Sequence, residues 1–244
     1  MAGNGSRFAE SGESEPKPFI QVVPGKRMVE YAIEYLTVDE PHRFIFVCLK
    51  RHDLAFGLKG FFSARTDNFD LVLTEKVTSG PAASALLADN LIETPDELLI
   101  AYCDCFLNID VDEFLGRMRK SAADGGLITY PSTGGMEAYV ELASDGRVLR
   151  TAEKQRIGPL AAAGLYYFKD GQQFVRAARR MIADDQQHGR ESFVCPVFNN
   201  LIAAGKSVLS HRIERAQRIE MGTPEDLASS RLWLGQRPTI ARWA

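Results

Sequence analysis

Short apolar runs alternate with amphipathic segments through the first half of this sequence, and that rhythm limits the folds open to it. Arg43 to Leu49, Phe69 to Leu73 and Leu98 to Cys103 are brief, apolar and rich in aliphatic or aromatic residues, as buried strands are. Met28 to Leu36, Pro81 to Ile92 and Val111 to Lys120 read as helices, the second with Ser79 or Gly80 at its cap and Pro81 in its first turn. Parallel strands need helical crossovers, which cover the faces of the sheet. The expected fold is therefore α/β, a single Rossmann-like domain with a mostly parallel central sheet. The longest runs, Phe44 to Leu49 and Leu98 to Tyr102, fall far short of the roughly 20 residues of a membrane helix.

After residue 125 the rhythm changes. Gly126 to Tyr130, Glu137 to Leu142 and Arg147 to Leu149 are strand-like, with Asp145-Gly146 as a hairpin turn between the last two. A strand from Ala162 to Phe168, helices from Gln172 to Ala183 and Cys195 to Ala204, a strand from Ser207 to Ile213 and a helix opened by Thr223-Pro224-Glu225 complete the pattern. This predicts a small antiparallel excursion within one domain spanning 1–244, since no linker or repeat separates the halves 1–125 and 126–244. With 244 residues, 45% of them apolar, the chain can bury a full core without staples. A net charge of −3 and one local Arg cluster (Arg176, Arg179, Arg180) argue against a nucleic-acid partner. The 4 Cys lack zinc-type pairing and read as reduced, and the 4 His lack metal spacing. Met1 to Ser11 lacks the apolar core of a secretory signal, so the expected location is the cytoplasm.

The chemistry-bearing residues begin at the N-terminus. Gly3 and Gly5 flank Asn4, with Arg7 two residues on; small residues let backbone N–H groups converge on an anion, although a flexible terminus has the same composition. Pro16 and Pro18 bracket Lys17 and fix the backbone on both sides, which aims the ammonium, although a surface turn gives the same tripeptide. Asp104 follows an apolar run at the carboxyl end of a strand, where α/β sheets place ligands. It reads either as a ligand for Mg²⁺ bridging phosphate oxygens or as a cap. Asp110 and Asp112 read as first-turn acids of the next helix.

In order and spacing, M-A-G-N-G-S-R-F, P-K-P-F-I-Q-V-V-P-G-K-R-M, T-S-G-P-A-A-S-A-L-L-A (78–88), Y-C-D (102–104), A-E-K (152–154), A-G-L-Y-Y-F (163–168) and G-T-P-E-D-L (222–227) resemble the sugar-phosphate nucleotidyltransferases of the nucleotide-diphospho-sugar transferase superfamily. The form is most similar to the subgroup serving capsule and surface polysaccharide. The resemblance implies transfer of a nucleotidyl group from a nucleoside triphosphate to a phosphorylated sugar, with release of pyrophosphate and with Mg²⁺ as cofactor. It implies a nucleotide-binding half, 1–125, an acceptor-binding half, 126–244, and allows a homo-oligomer. By position, Arg7, Lys17 and Asp104 carry catalysis. Ala2, Gly3, Asn4, Gly5, Ser6, Ser79, Gly80 and Ala83 border the nucleotide; Glu153, Lys154, Gly164, Glu191 and Asn199 border the acceptor. Glu220 stands where relatives carry a second metal ligand, with a salt bridge to a neighbouring Arg as its alternative. Of Tyr166 and Tyr167, which alternate on a strand, one at most faces the site.

Relatives carry an apolar strand before the Gly-rich loop, whereas this sequence begins at the loop. The alternatives are a start further upstream or a sheet lacking one strand. Either way, Met1 and Ala2 are expected between the strands at Arg43 to Leu49 and Leu98 to Cys103. Two other functions fit the same scaffold. A glycosyltransferase consuming an activated sugar would ordinarily show Asp-x-Asp, where this chain has Asp104-Cys105-Phe106. The third reading is a catalytically silent regulator.

Overall fold

A computed structural model describes residues 1–3 and 6–236, without the side chains of residues 6, 7, 186 and 187. Helix α1 (Ser6–Glu10) precedes a 3-10 turn at Lys17–Phe19, the hairpin β1 (Gln21–Val23) and β2 (Lys26–Arg27), and α2 (Met28–Leu36). The hairpin closes on Gly25, whose φ of +82° lies in the region that glycine enters without cost. Helix α2 is apolar on two faces. Met28, Tyr31, Ala32 and Tyr35, at i, i+3, i+4 and i+7, enter one core, while Val29 and Ile33 enter a second.

Strand β3 (Phe44–Leu49) and β4 (Phe69–Thr74) form a parallel pair in register from Phe44↔Phe69 to Leu49↔Thr74. Their crossover consists of two short helices, α3 (Lys50–Phe56) and α4 (Leu58–Ser63), joined at Gly57 with φ +56°. The helix expected over Pro81 to Ile92 divides into α5 (Pro81–Leu86) and α6 (Asp89–Ile92). Then come β5 (Leu98–Ala101), β6 (Cys105–Leu107) and α7 (Val111–Lys120), whose N-cap, Asp110, accepts a hydrogen bond from the Glu113 N–H. The second half runs β7 (Gly125–Pro131), β8 (Ala138–Leu142), β9 (Val148–Glu153), β10 (Leu160–Phe168), α8 (Gly171–Gln187), α9 (Val197–Ala203), β11 (Val208–Arg212), β12 (Arg218–Glu220) and α10 (Pro224–Gly235).

The α/β class holds, but the main sheet is mixed where a mostly parallel one is expected. Its six strands run β11-β7-β10-β8-β9, with β5 also on β10. Strand β10, buried along its whole length, is antiparallel to β5, β7 and β8, and only β11 joins in parallel. Strands β7 to β10 follow one another without an intervening helix, so chain reversal favours antiparallel pairing. The expected turn at Asp145-Gly146 forms, with Gly146 at φ +85° and Leu142 paired with Val148.

Among the described residues, β3 pairs only with β4, and β5 only with β10. Met1 packs against the cluster around Phe46 and Phe62, and Ala2 is buried. The terminal amino group acts electrostatically on both Cys48, in β3, and Cys103, just past β5. The terminus thus lies within electrostatic reach of both strands, and among the described residues no ladder joins it to either. All four cysteines are free.

Candidate active site

Two segments separated by more than a hundred residues build the floor of the site. Strand β12 pairs antiparallel with β6, Glu220 opposite Cys105, and the Met221 N–H donates to the Asp104 carbonyl at 2.9 Å. This ladder sets Gly222 beside Asp104. Lys17 reaches across from the Pro-bracketed turn, its Nζ donating to Asp104 Oδ2 at 2.7 Å and to the Gly222 carbonyl at 2.9 Å. The turn is held by the Phe19 N–H on the Pro16 carbonyl at 2.8 Å and by the fully buried Phe19 ring. Lys17 Nζ lies 5.7 Å from the Phe8 ring centroid, which brings the N-terminal segment to the same place.

Asp104 keeps 35% of its side-chain surface open although protein closely surrounds it, as a carboxylate on the floor of a cleft does. Desolvation pushes its carboxyl up, but the charge and hydrogen bond of Lys17, with the charge of Arg218, outweigh it and hold the group below the usual carboxylate range. The group is an anion at neutral pH. Among the described residues, no three His, Cys, Asp or Glu side chains converge as a metal cage. A lone hard carboxylate suits Mg²⁺, which is commonly held by one or two carboxylates plus substrate phosphates. Asp226, the nearest other acid to Gly222, is engaged by the Thr223 N–H and hydroxyl. Asn4 and Gly5 lie outside the described residues, as do the side chains of Ser6 and Arg7. Gly3 is exposed, with open space where a Cβ would stand.

Backbone hydrogen bonds join the start of α5 to the segment around residue 192. Ser192 donates its N–H to the Ser79 carbonyl and accepts the Ala82 N–H, both at 2.9 Å. Gly80, at φ +152°, permits this contact, since a Cβ there would lie 2.4 Å from the Ser192 carbonyl oxygen. Ala83 is half-buried in the first turn of α5. Next to Ser192, Glu191 meets Lys154 at 3.5 Å, and Lys154 Nζ lies over the Phe193 ring at 4.8 Å. Lys154 holds φ +55°, a left-handed conformation that a non-glycine residue rarely adopts. Gly164, at φ +95°, approaches Tyr102 and Cys105 at the irregularity in β10. Tyr166 is buried edge-on against Tyr102, while Tyr167 is buried and donates to Glu97.

Beside Lys154, the Glu153 Oε2 is buried without a hydrogen-bond partner. Desolvation lifts this carboxyl from 4.5 to about 7, with Lys154 opposing and Glu191 adding to the rise. A carboxyl whose folded-state value is raised loses its contribution to stability as pH rises from the unfolded-state value through the folded one. Glu153→Gln is therefore expected to flatten the loss of stability between pH 4.5 and about 7. Its melting temperature should exceed that of the parent at pH 8 by several degrees but not at pH 5, as thermal scans at both pH values would show.

Asn199 completes an edge. Among the described residues strand β9 pairs only with β8, and the Asn199 amide takes the place of the next strand, with Oδ1 accepting from the Thr151 N–H at 2.8 Å and Nδ2 donating to the Thr151 carbonyl at 2.9 Å. Asn199 thus positions the Glu153-Lys154 end of β9 from behind. Asn199→Ala should cost about 1–3 kcal/mol by leaving a buried N–H unpaired, measured by urea denaturation.

Glu220 is held in an ion-pair network. Its Oε1 is bound by Arg215 at 2.7 Å and by Arg218, the ion-pair arrangement named above as its alternative. Arg218, absent from the sequence reading, is mostly enclosed, donates to the Ala163 carbonyl at 3.3 Å and lies 4.9 Å over the Tyr130 ring. Nothing local marks it. Only the β6–β12 pairing brings it to the cleft.

A mixed-sheet α/β domain that pairs a lysine with a carboxylate and carries a second lysine in a left-handed conformation at a strand end is suited to polyanionic reactants. The nucleotidyl transferase family profile matches residues 1–232, and the chain belongs to that family. Its fold is similar to that of a nucleoside-diphosphate-sugar pyrophosphorylase from Vibrio cholerae RC9, with a TM-score of 0.79 and 22% identity over 95% of this chain and 98% of that one. A UDP-glucose pyrophosphorylase solved with UDP-glucose gives a TM-score of 0.74 at 14% identity, over 97% of each chain. A Bacillus anthracis protein assigned as a glucose-1-phosphate thymidylyltransferase gives 0.80 at 14% identity, over 98% of this chain and 94% of that one. No curated protein matches significantly. Among the described residues, no helix is long and apolar enough to cross a membrane.

Proposed function

We propose that this protein transfers a nucleoside monophosphate from a nucleoside triphosphate to a sugar 1-phosphate, releasing pyrophosphate. The observation that carries the reading is the Lys17–Asp104–Gly222 junction, an aimed cation beside a charged carboxylate. An oxygen of the acceptor phosphate attacks the α-phosphorus, the bond from that phosphorus to the bridging oxygen breaks, and pyrophosphate leaves with the electron pair. Both reactants are polyanions, so catalysis consists mainly of alignment and charge neutralisation. Lys17 releases Asp104 and turns its ammonium toward the α-phosphate. Asp104 would hold Mg²⁺, which neutralises phosphate charge when bound. Lys154 receives the acceptor phosphate, in exchange for Glu191, and Glu153 faces the sugar hydroxyls.

The sugar nucleotide formed would feed capsule or lipopolysaccharide synthesis in the cytoplasm, a role supported by the sequence resemblance alone. The test is pyrophosphate release across the common nucleoside triphosphates and a panel of sugar 1-phosphates, with and without Mg²⁺. Release that needs both substrates supports the reading. Sugar transfer from a nucleotide sugar without pyrophosphate release would favour a glycosyltransferase instead.

A further inference from the structure

A cavity of 520 Å³ opens between the loop after β7 and the start of β12, lined by Ser132, Glu137, Arg156, Arg215 and Glu220 among others. Its walls run on directly into the site. Glu220 lies two residues before Gly222, which Lys17 holds, and the Glu137 carbonyl accepts the Lys154 N–H at 2.9 Å.

The cavity's charges balance in number but are not all paired. Glu137 is taken up internally, accepting Tyr130 at 2.7 Å on one oxygen, and Ser132 at 2.6 Å and Tyr139 at 2.7 Å on the other. These hydroxyls outweigh its desolvation and keep it ionised. Glu220 is shared between Arg215 and Arg218. Arg156 is exposed and makes no hydrogen bond or ion pair among the described residues. Of the two guanidinium groups in the lining, Arg215 is thus engaged by Glu220, both carboxylates already have donors, and Arg156 is left without a partner among the described residues. A free guanidinium presents a planar fork of N–H groups that matches a carboxylate or phosphate.

We propose that this cavity binds a second anionic group, a carboxylate or phosphate, which the acceptor carries in addition to its 1-phosphate. The proposal rests on the nucleotidyl-transfer reading for the word acceptor and makes Arg156 the specificity-determining residue. A neutral hexose 1-phosphate would leave Arg156 facing water. An acid or a bisphosphate would pair with it, with Arg215 on the far side.

The experiment is calorimetric titration of the full chain with glucose 1-phosphate, glucuronic acid 1-phosphate and glucose 1,6-bisphosphate. A charge-assisted hydrogen bond predicts binding about tenfold tighter for at least one of the two acidic ligands than for glucose 1-phosphate. Which of them gains identifies the group as carboxylate or phosphate. The advantage should vanish in Arg156→Ala and return in part in Arg156→Lys, with glucose 1-phosphate binding unchanged. Equal affinities, no binding by any of the three, or a preference that survives Arg156→Ala would each overturn the proposal. Pyrophosphate release, read separately, reports on nucleotidyl transfer: a preference lost in Arg156→Ala without turnover would keep the subsite and reject the reaction.

Discussion

Asp104→Asn is expected to lower pyrophosphate release by on the order of a thousandfold while leaving the fold intact. Asparagine keeps the size of the side chain and an oxygen for Lys17, so the 2.7 Å contact can persist as a neutral hydrogen bond. It loses the charge. A carboxamide is a weak ligand for a hard divalent cation and cannot offset the positive charge of Lys17 and Arg218, both of which act electrostatically on this carboxylate. The check is turnover across a Mg²⁺ titration, alongside circular dichroism. Parent-like turnover in a folded variant would remove Asp104 from the chemistry. Loss of turnover that high Mg²⁺ restores would make its role metal affinity.

Lys17→Met is expected to lower turnover by on the order of a hundredfold or more, with a smaller change in the Michaelis constant. The ammonium is held by two oxygens in the free protein, so moving it to a phosphate exchanges partners already present and adds little to ground-state binding. Its benefit comes where charge builds during transfer. Methionine retains much of the stem but no donor, and leaves Asp104 without its nearest cation. A change in the Michaelis constant alone, measured by steady-state kinetics, would make Lys17 a binding residue.

The parts of this fold that can be read from sequence are those whose cause is local. Met28 to Leu36 and Val111 to Lys120 show helical periodicity and become α2 and α7 with the expected limits. The Pro16-Lys17-Pro18 turn also follows from local restraint. Strands β6 and β12, three residues each, carry no periodic signal and exist because they pair with each other across the chain. That pairing sets Gly222 beside Asp104, so the junction proposed as catalytic could be reached from sequence only through the order of motifs. Helices α3 and α4 escaped notice because both are short and turn on a single glycine. Gly80, which the resemblance sets beside the nucleotide, also owes its lack of a Cβ to the close approach of the Ser192 backbone. Asn199, which the resemblance sets at the acceptor, also has its amide standing in for a strand, a role visible only once β9 is known to be an edge.

The separation of β3 and β4 from the main sheet bears on how the molecule opens. The pair and its crossover helices build a small core of their own, with Phe19, Val29, Ile33, Phe46, Leu58 and Phe62, joined to the rest through α2, which enters both cores, with no shared sheet among the described residues. Regions without a shared hydrogen-bond ladder can fluctuate as separate cooperative units. Phe19 anchors Lys17 to the smaller unit, whereas Cys105 and Met221 fix Asp104 and Gly222 to the larger. The Lys17–Asp104 pair is thus a clasp across two foldons, and partial unfolding of the lesser one withdraws the lysine while the carboxylate stays in place.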